Sequence, residues 1–179
     1  MKYNKPNIKV CAIFATDQDG GMGYQGQMPW PRLPDDLKNF RRLTVGCHVL
    51  MGSKTWTSTD MQAPLPLRHN IVWSRDHSVL PNITDKVIQF TGDPAVCLEI
   101  FSAQEPLASQ VWVIGGAQTL KTWMPFVSTV WHTQIHRRWE CDTRYHHSHW
   151  QSEFTPESNP SKYRDYDTGI EYTITVWNR

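Results

Sequence analysis

Seven short runs of consecutive apolar, largely β-branched residues punctuate the chain, at 8–15, 48–51, 70–73, 87–90, 111–114, 130–135 and 172–177. Apolar runs of this length without polar alternation mark strands that are covered on both faces. Between several of them the spacing becomes helical. Residues 34–43 place Pro34 in a first turn, Asp35 and Asp36 beside the positive end of the helix, and Leu37 and Phe40 three apart. Residues 52–59, 93–100 and 117–124 are shorter helix candidates. Strands alternating with helices predict an α/β fold built on a mostly parallel sheet. From Trp139 to Arg179 no clear helix is written, and the last strand-like run follows the turn signal Asp167-Thr168-Gly169. That ending predicts an antiparallel edge hairpin.

Composition narrows the class. A chain of 179 residues is expected to form one domain over 1–179, with enough length for a core that needs no staples. Eighteen Lys+Arg against 17 Asp+Glu leave a net charge of +1, which argues against a nucleic-acid partner. With 39% hydrophobic and 20% charged residues the chain is too apolar for disorder and too mixed for a membrane span. Cys11, Cys47, Cys97 and Cys141 stand far apart, which is neither a zinc pattern nor a disulfide framework. The lysine-bearing start leads into an apolar run too short for a signal peptide, so a buried first strand and a cytoplasmic location are expected. Nine tryptophans are an excess, each bringing large apolar area and one N–H, and they belong to core, pocket wall or interface.

Two features invite a stronger reading than they carry. Gly21-Met22-Gly23-Tyr24-Gln25-Gly26 is literally a G-x-G-x-x-G after a strand. A dinucleotide fingerprint also needs a helix to open there, and Pro29, Pro31 and Pro34 prevent one. The segment reads as a loop, or as a mobile flap leaving the first strand, with Met28-Pro29-Trp30 stiffening its far end. His146-His147-x-His149 looks metal-like, but only Asp142 lies nearby in sequence, so a solvated loop and no metal are expected.

The chemistry-bearing blocks are Ala12 in the first strand, Met28-Pro29-Trp30, Leu33-Pro34-x-Asp36-Leu37 and Met51-Gly52-x-Lys54-Thr55-Trp56. After them come Pro64-Leu65-Pro66-x-Arg68, Val113-Ile114-Gly115-Gly116 and Asp142-Thr143. In this order and at these separations the chain resembles dihydrofolate reductase, of the bacterial type, over nearly its whole length. The resemblance implies an eight-stranded twisted sheet flanked by about four helices, acting as a monomer. It further implies the use of NADPH to reduce 7,8-dihydrofolate to tetrahydrofolate, feeding one-carbon metabolism and thymidylate synthesis.

Read alone, Asp36 is a first-turn helix acid sooner than a pocket carboxylate. The resemblance makes it the group that accepts hydrogen bonds from the pterin ring and serves its protonation, with Thr133 bonding the acid and Trp30 holding a water near it. It also gives Arg68 the α-carboxylate of the glutamate tail, and Cys11, Ala12, Leu37, Phe40 and Ile114 the substrate pocket, with Ile13, Thr55 and Ser58 beside them. Gly52, Ser53, Lys54, Thr55 and Gly116, Ala117, Gln118, Thr119 stand where strands give way to helices, with free N–H groups for cofactor phosphates. Ala12, Ile13, Gly21, Met22, Met28, Gly115 and Leu120 are implied around the nicotinamide, and Lys54, Ser74 and Arg75 around the 2′-phosphate. The chain departs from the family at Ser53, where Arg is common, at Leu120, where an aromatic is common, and at Cys11, Trp131 and Cys141.

Two rival functions remain on the sequence. One is an NADPH-dependent reductase of a ribosylated pyrimidine, which has no glutamate tail for Arg68. The other is a non-catalytic binding or assembly module, with surface tryptophans and the pairs Arg41-Arg42 and Arg137-Arg138 as contacts.

Overall fold

β1 (Lys9–Thr16) is buried along most of its length because it has a parallel neighbour on each side. β6 (Gln110–Gly115) pairs along one edge, with Ala12 opposite Val113, and β7 (Thr129–Ile135) along the other, with Ala15 opposite Thr133. Beyond β6 come β3 (His48–Gly52), β4 (His69–Trp73) and β5 (Val87–Phe90), all parallel. Beyond β7 come β11 (Glu171–Asn178) and β10 (Ser161–Arg164), each antiparallel to its neighbour. The sheet order is β10-β11-β7-β1-β6-β3-β4-β5, and the two-residue β9 (Thr155–Pro156) adds to β11. This is the mostly parallel α/β sheet with an antiparallel C-terminal edge that the apolar runs predict, with each run matched to within one residue. The computed structural model describes residues 8–75, 87–104 and 110–179, so the lysine-bearing start at 1–7 lies outside the described residues.

The two-residue period of a strand sends alternate side chains of β1 into two cores. Val10, Ala12 and Phe14 meet Leu50, Ile71, Val111 and Val113 on one face. Cys11 and Ile13 meet Val49, Met51, Val72, Trp112 and Ile114 on the other. Four α-helices flank the sheet among the described residues: α1 (Pro34–Thr44), α2 (Ser53–Trp56), α3 (Pro94–Gln104) and α4 (Ala117–Trp123). None is long and apolar enough to cross a membrane.

The structure corrects the sequence reading in four places. The helix expected over 52–59 is a single turn, since Gly52 stays in β3 and the Thr57 hydroxyl donates back to the Ser53 carbonyl at 3.1 Å. The helix expected over 93–100 continues to Gln104. The glycine segment is more than a loop: β2 (Gly21–Gly23) forms a separate antiparallel ladder with β8 (Thr143–Arg144). In the histidine cluster, His147 and Trp150 stack edgewise on buried His132, so the segment packs on the sheet more closely than a solvated loop. Of the tryptophans, Trp123 and Trp150 are core residues with at most 1% exposure.

Candidate active site

In the order β1-β6-β3, the C-terminal ends of three adjacent parallel strands open toward the same side, the place where parallel α/β sheets form their crevice. The chain leaves β1 through the 17–33 segment to α1, leaves β6 into α4, and leaves β3 into α2. The inward residues of α1 are incompletely covered: Leu37 and Phe40 are half-buried, and Thr44 is its buried residue. Phe40, Trp56, Met61, Leu65 and Trp131 fringe the second core as half-buried apolar side chains. Together they leave a half-buried apolar surface on this face of the sheet, the wall of the candidate cleft.

Asp36 stands in the first turn of α1. Leu33, the N-cap residue, accepts the Leu37 N–H at 3.1 Å and is buried with Trp30, Ile135, Ile170, Tyr172 and Ile174. That cluster fixes where the helix begins and so where Asp36 lies. The Thr133 hydroxyl on β7 donates to Asp36 Oδ1 at 2.6 Å. Burial pushes the Asp36 carboxyl above its ordinary range, and the Thr133 hydrogen bond, which favours the anion, opposes that rise. Tyr172, behind the helix start, is pushed up to about 12 by its own burial and then by Asp35 and Asp36.

Arg68 lies at the opposite end of α1. Its Nε and Nη2 donate to Thr44 Oγ1 at 3.2 and 3.1 Å, and Nη1 donates to the Pro66 carbonyl at 2.8 Å. The guanidinium sits 5.8 Å from the Phe40 ring centroid. Asn70 ties the approach, accepting the Leu65 N–H and donating to the carbonyls of Leu65 and Arg68. Arg68 is 9% exposed, and among the described residues no carboxylate pairs with it. Burial first, and the nearby Arg41 charge second, press its pKa downward. A buried cation without a counter-charge is costly.

The third side of the cleft is glycine. Met51 of β3 lies in register with Gly115 of β6, and the Gly115–Gly116 peptide is cis. A Cβ on Gly52 would clash with Thr119 Oγ1, and one on Gly116 would meet Thr55 Oγ1 at 3.4 Å, so the backbone runs close against both hydroxyls. Gly52 and Gly116 are the N-cap residues of α2 and α4; neither supplies a side-chain cap, and neither first turn holds an acid. Lys54 is exposed on α2, and Arg75 is exposed two residues past β4, whose Trp73 lies in register with Gly52; Ser74, between Trp73 and Arg75, is buried.

Most of the residues singled out from the sequence come together here, and a few do not face the cleft. Ile13 and Ile114 are 7% and 8% exposed, whereas Cys11 is fully covered beside them in the second core and the Ala12 side chain points into the first core on the other face of the sheet. Burial pushes the Cys11 thiol up, and Gln110 Nε2 donates to its sulfur at 3.1 Å. Leu120 is fully buried in the first core, so its side chain does not reach the cleft. Gly21 is wedged against the Asp17 carboxylate and Cys141 Sγ. Met22 is half-buried, and Met28 is 38% exposed.

Three contributors escaped the sequence reading. Asp17 is fully buried and accepts the N–H groups of Asp19, Gly21 and Trp139, fixing the exit of the flap. Thr44 is the partner of Arg68. Asp60 accepts the Met28 N–H at 2.7 Å. Only Thr44 had a local signal, a hydroxyl in a last helical turn that bonds the carbonyl four residues back.

A sequence model of the dihydrofolate reductase family matches residues 9–179. The dihydrofolate reductase of Mycobacterium leprae is 35% identical over 133 residues, which are 70% of this chain and 72% of that one. The type 8 enzyme of Escherichia coli is 32% identical over 137 residues, 76% of this chain and 79% of that one. The bifunctional dihydrofolate reductase-thymidylate synthase of Zea mays is 33% identical over 157 residues, 78% of this chain but 29% of that longer protein. Among solved structures, a dihydrofolate reductase from Enterococcus faecalis complexed with NADP(H) and RAB-propyl has the same fold, with a TM-score of 0.78 at 23% identity over 97% of each chain. With the family model matched from β1 to the C-terminal residue and relatives above 30% identity over most of both chains, this chain belongs to the dihydrofolate reductase family.

Proposed function

We propose that the protein reduces 7,8-dihydrofolate to 5,6,7,8-tetrahydrofolate with NADPH, as one reductase domain over 1–179 that works as a monomer in the cytoplasm. The observation that carries this reading is a pair of groups at the two ends of α1: Asp36, bonded to Thr133, and the unpaired buried Arg68. A substrate with a hydrogen-bond-donating ring at one end and a carboxylate tail at the other satisfies both. A ribosylated pyrimidine has no glutamate tail for Arg68.

The reaction adds a hydride at C6 and a proton at N5. NADPH, when bound, supplies the hydride, which no side chain has to give. The residues present suit such a group. Two uncapped strand-to-helix turns, Gly52–Thr55 and Gly116–Thr119 in sequence, leave backbone N–H groups for phosphates. Lys54 and Arg75, with Ser74, are the donors for a 2′-phosphate, and take the burden that an Arg at position 53 bears elsewhere in the family. Gly115 and Gly116 let a flat ring approach the backbone, with Ala12, Ile13, Gly21, Met22 and Met28 around it.

Asp36 does the rest. Its carboxylate accepts from the amino group and the ring N–H of the pterin, a charge-assisted pair. Thr133 holds Oδ1 and thereby sets the plane of the carboxylate. Because burial raises its pKa, Asp36 holds a proton at a higher pH than a surface acid, as a group serving protonation of N5 must. Direct relay by Asp36 and delivery by a water on the polarised ring both depend on this carboxylate. Trp30, Leu37 and Phe40 keep the surroundings apolar.

The test is an absorbance assay of NADPH oxidation by the purified protein. Oxidation that needs dihydrofolate supports the reading. Oxidation driven by a ribosylated pyrimidine favours the rival reductase, and none with either at saturation leaves a non-catalytic module.

A further inference from the structure

The flap tip is a two-residue hairpin turn. Tyr24 and Gln27 exchange both backbone hydrogen bonds, at 2.9 and 3.0 Å, around a two-residue turn in which Gln25 and Gly26 have φ of 50° and 78°. Positive φ at both central residues marks the hairpin turn whose twist matches that of the strands it joins. This tip is held on two sides. On one, Asp142 accepts the Gln25 N–H at 2.7 Å. On the other, three hydrogen bonds join it to the segment just after α2: Ser58 Oγ donates to the Gly26 carbonyl at 2.8 Å, Gln27 Nε2 to Thr59 Oγ1 at 3.0 Å, and the Met28 N–H to Asp60 Oδ2 at 2.7 Å.

The topology makes this second set more than a local tie. The flap leaves β1 and the Ser58–Asp60 stretch in sequence follows β3, and these two strands flank β6. A connection between them therefore crosses the C-terminal end of β6, where Gly115 and Gly116 lie. All three bonds are exposed to solvent, so each is individually weak and reversible. The bond to Asp60 is the short, charge-assisted one.

We propose that Asp60, assisted by Ser58 and Thr59, is a positioning residue that latches the flap across the end of β6. A molecule seated on Gly115 and Gly116 then leaves only when the latch opens. The identity of that molecule as NADPH rests on the reductase reading above; the latch itself does not. Asp60 touches no reacting atom, and its effect is on the rate of release.

Two variants and two measurements test it. In Asp60→Ala the Met28 amide of the free protein loses its acceptor and exchanges hydrogen roughly tenfold faster, and bound NADPH, chased with excess NADP⁺ and followed by fluorescence, leaves about tenfold faster. In Asp60→Asn the side-chain oxygen still accepts the Met28 N–H, and both rates return to within about threefold of the parent. Unchanged exchange in Asp60→Ala overturns the latch. Faster exchange with unchanged NADPH release overturns its gating role and leaves a structural tie. If the parent protein binds no NADPH, the reductase reading fails, while Met28 exchange alone still decides whether Asp60 holds the flap.

Discussion

Asp36 and Arg68, a carboxylate and a guanidinium drawn out of water, occupy the two ends of one helix and are not paired with each other. Thr133 holds the first and Thr44 the second, and hydroxyl partners do not neutralise either charge. Asp36 and Thr44 are eight residues apart, roughly 12 Å along a helix at 1.5 Å per residue. Free protein that keeps two separated, partly desolvated charges does so at a cost to stability. A ligand with complementary groups at that spacing removes the cost.

Arg68→Leu is expected to raise the KM for dihydrofolate by roughly ten- to a hundredfold, from the loss of ~1.5–3 kcal/mol of charged hydrogen bonding, with a much smaller change in kcat. A pterin substrate lacking the glutamate tail should be indifferent to the substitution. Equal losses for both substrates would detach Arg68 from the tail.

Thr133→Val removes the hydrogen bond that favours the Asp36 anion, so the Asp36 pKa moves further up. The pH–rate profile of dihydrofolate reduction should keep its shape and move its Asp36 limb to higher pH. A downward move, or none, means that Thr133 does not tune the acid.

His132 gives a stability prediction with a definite sign. Burial first, and His147 second, lower its pKa from 6.5 to about 3, while Thr16 Oγ1 lies 2.9 Å from its Nε2. Below pH 6.5 the unfolded chain takes up a proton that the folded one refuses. Stability is therefore complete above 6.5 and is lost progressively as pH falls toward 3, by an amount on the order of a few kcal/mol. Urea denaturation between pH 7 and 4 should show this slope, and His132→Gln, which bonds without titrating, should flatten it. An unchanged slope in that variant would assign the acid sensitivity to other groups.

The strands were legible because seven are nearly continuous apolar runs, and burial on both faces demands that pattern. β2 and β8 were not, because Gly21–Gly23 and Thr143–Arg144 are short, carry no period, and find each other only across the fold. α2 was overlength in prospect because helix spacing cannot show that Gly52 belongs to the preceding strand. In the cleft, Asp36, Arg68 and the paired glycines were readable from ordered motifs. Asp60 was not, since its partner Met28 stands 32 residues away and nothing in a surface aspartate announces a distant amide. The resemblance implies Leu120 beside the cofactor, but the inner face of α4 carries its side chain into the core.

The central claim is that the Asp36 carboxylate serves the pterin, and Asp36→Asn tests it most directly. The raised pKa means that the charge burdens the free protein at neutral pH, so the thermal midpoint of the variant should equal or exceed that of the parent. NADPH should bind as before, while kcat for dihydrofolate at pH 7 falls by about 10²–10⁴-fold. A stable variant that binds NADPH and turns over dihydrofolate at close to the parent rate would contradict the assignment.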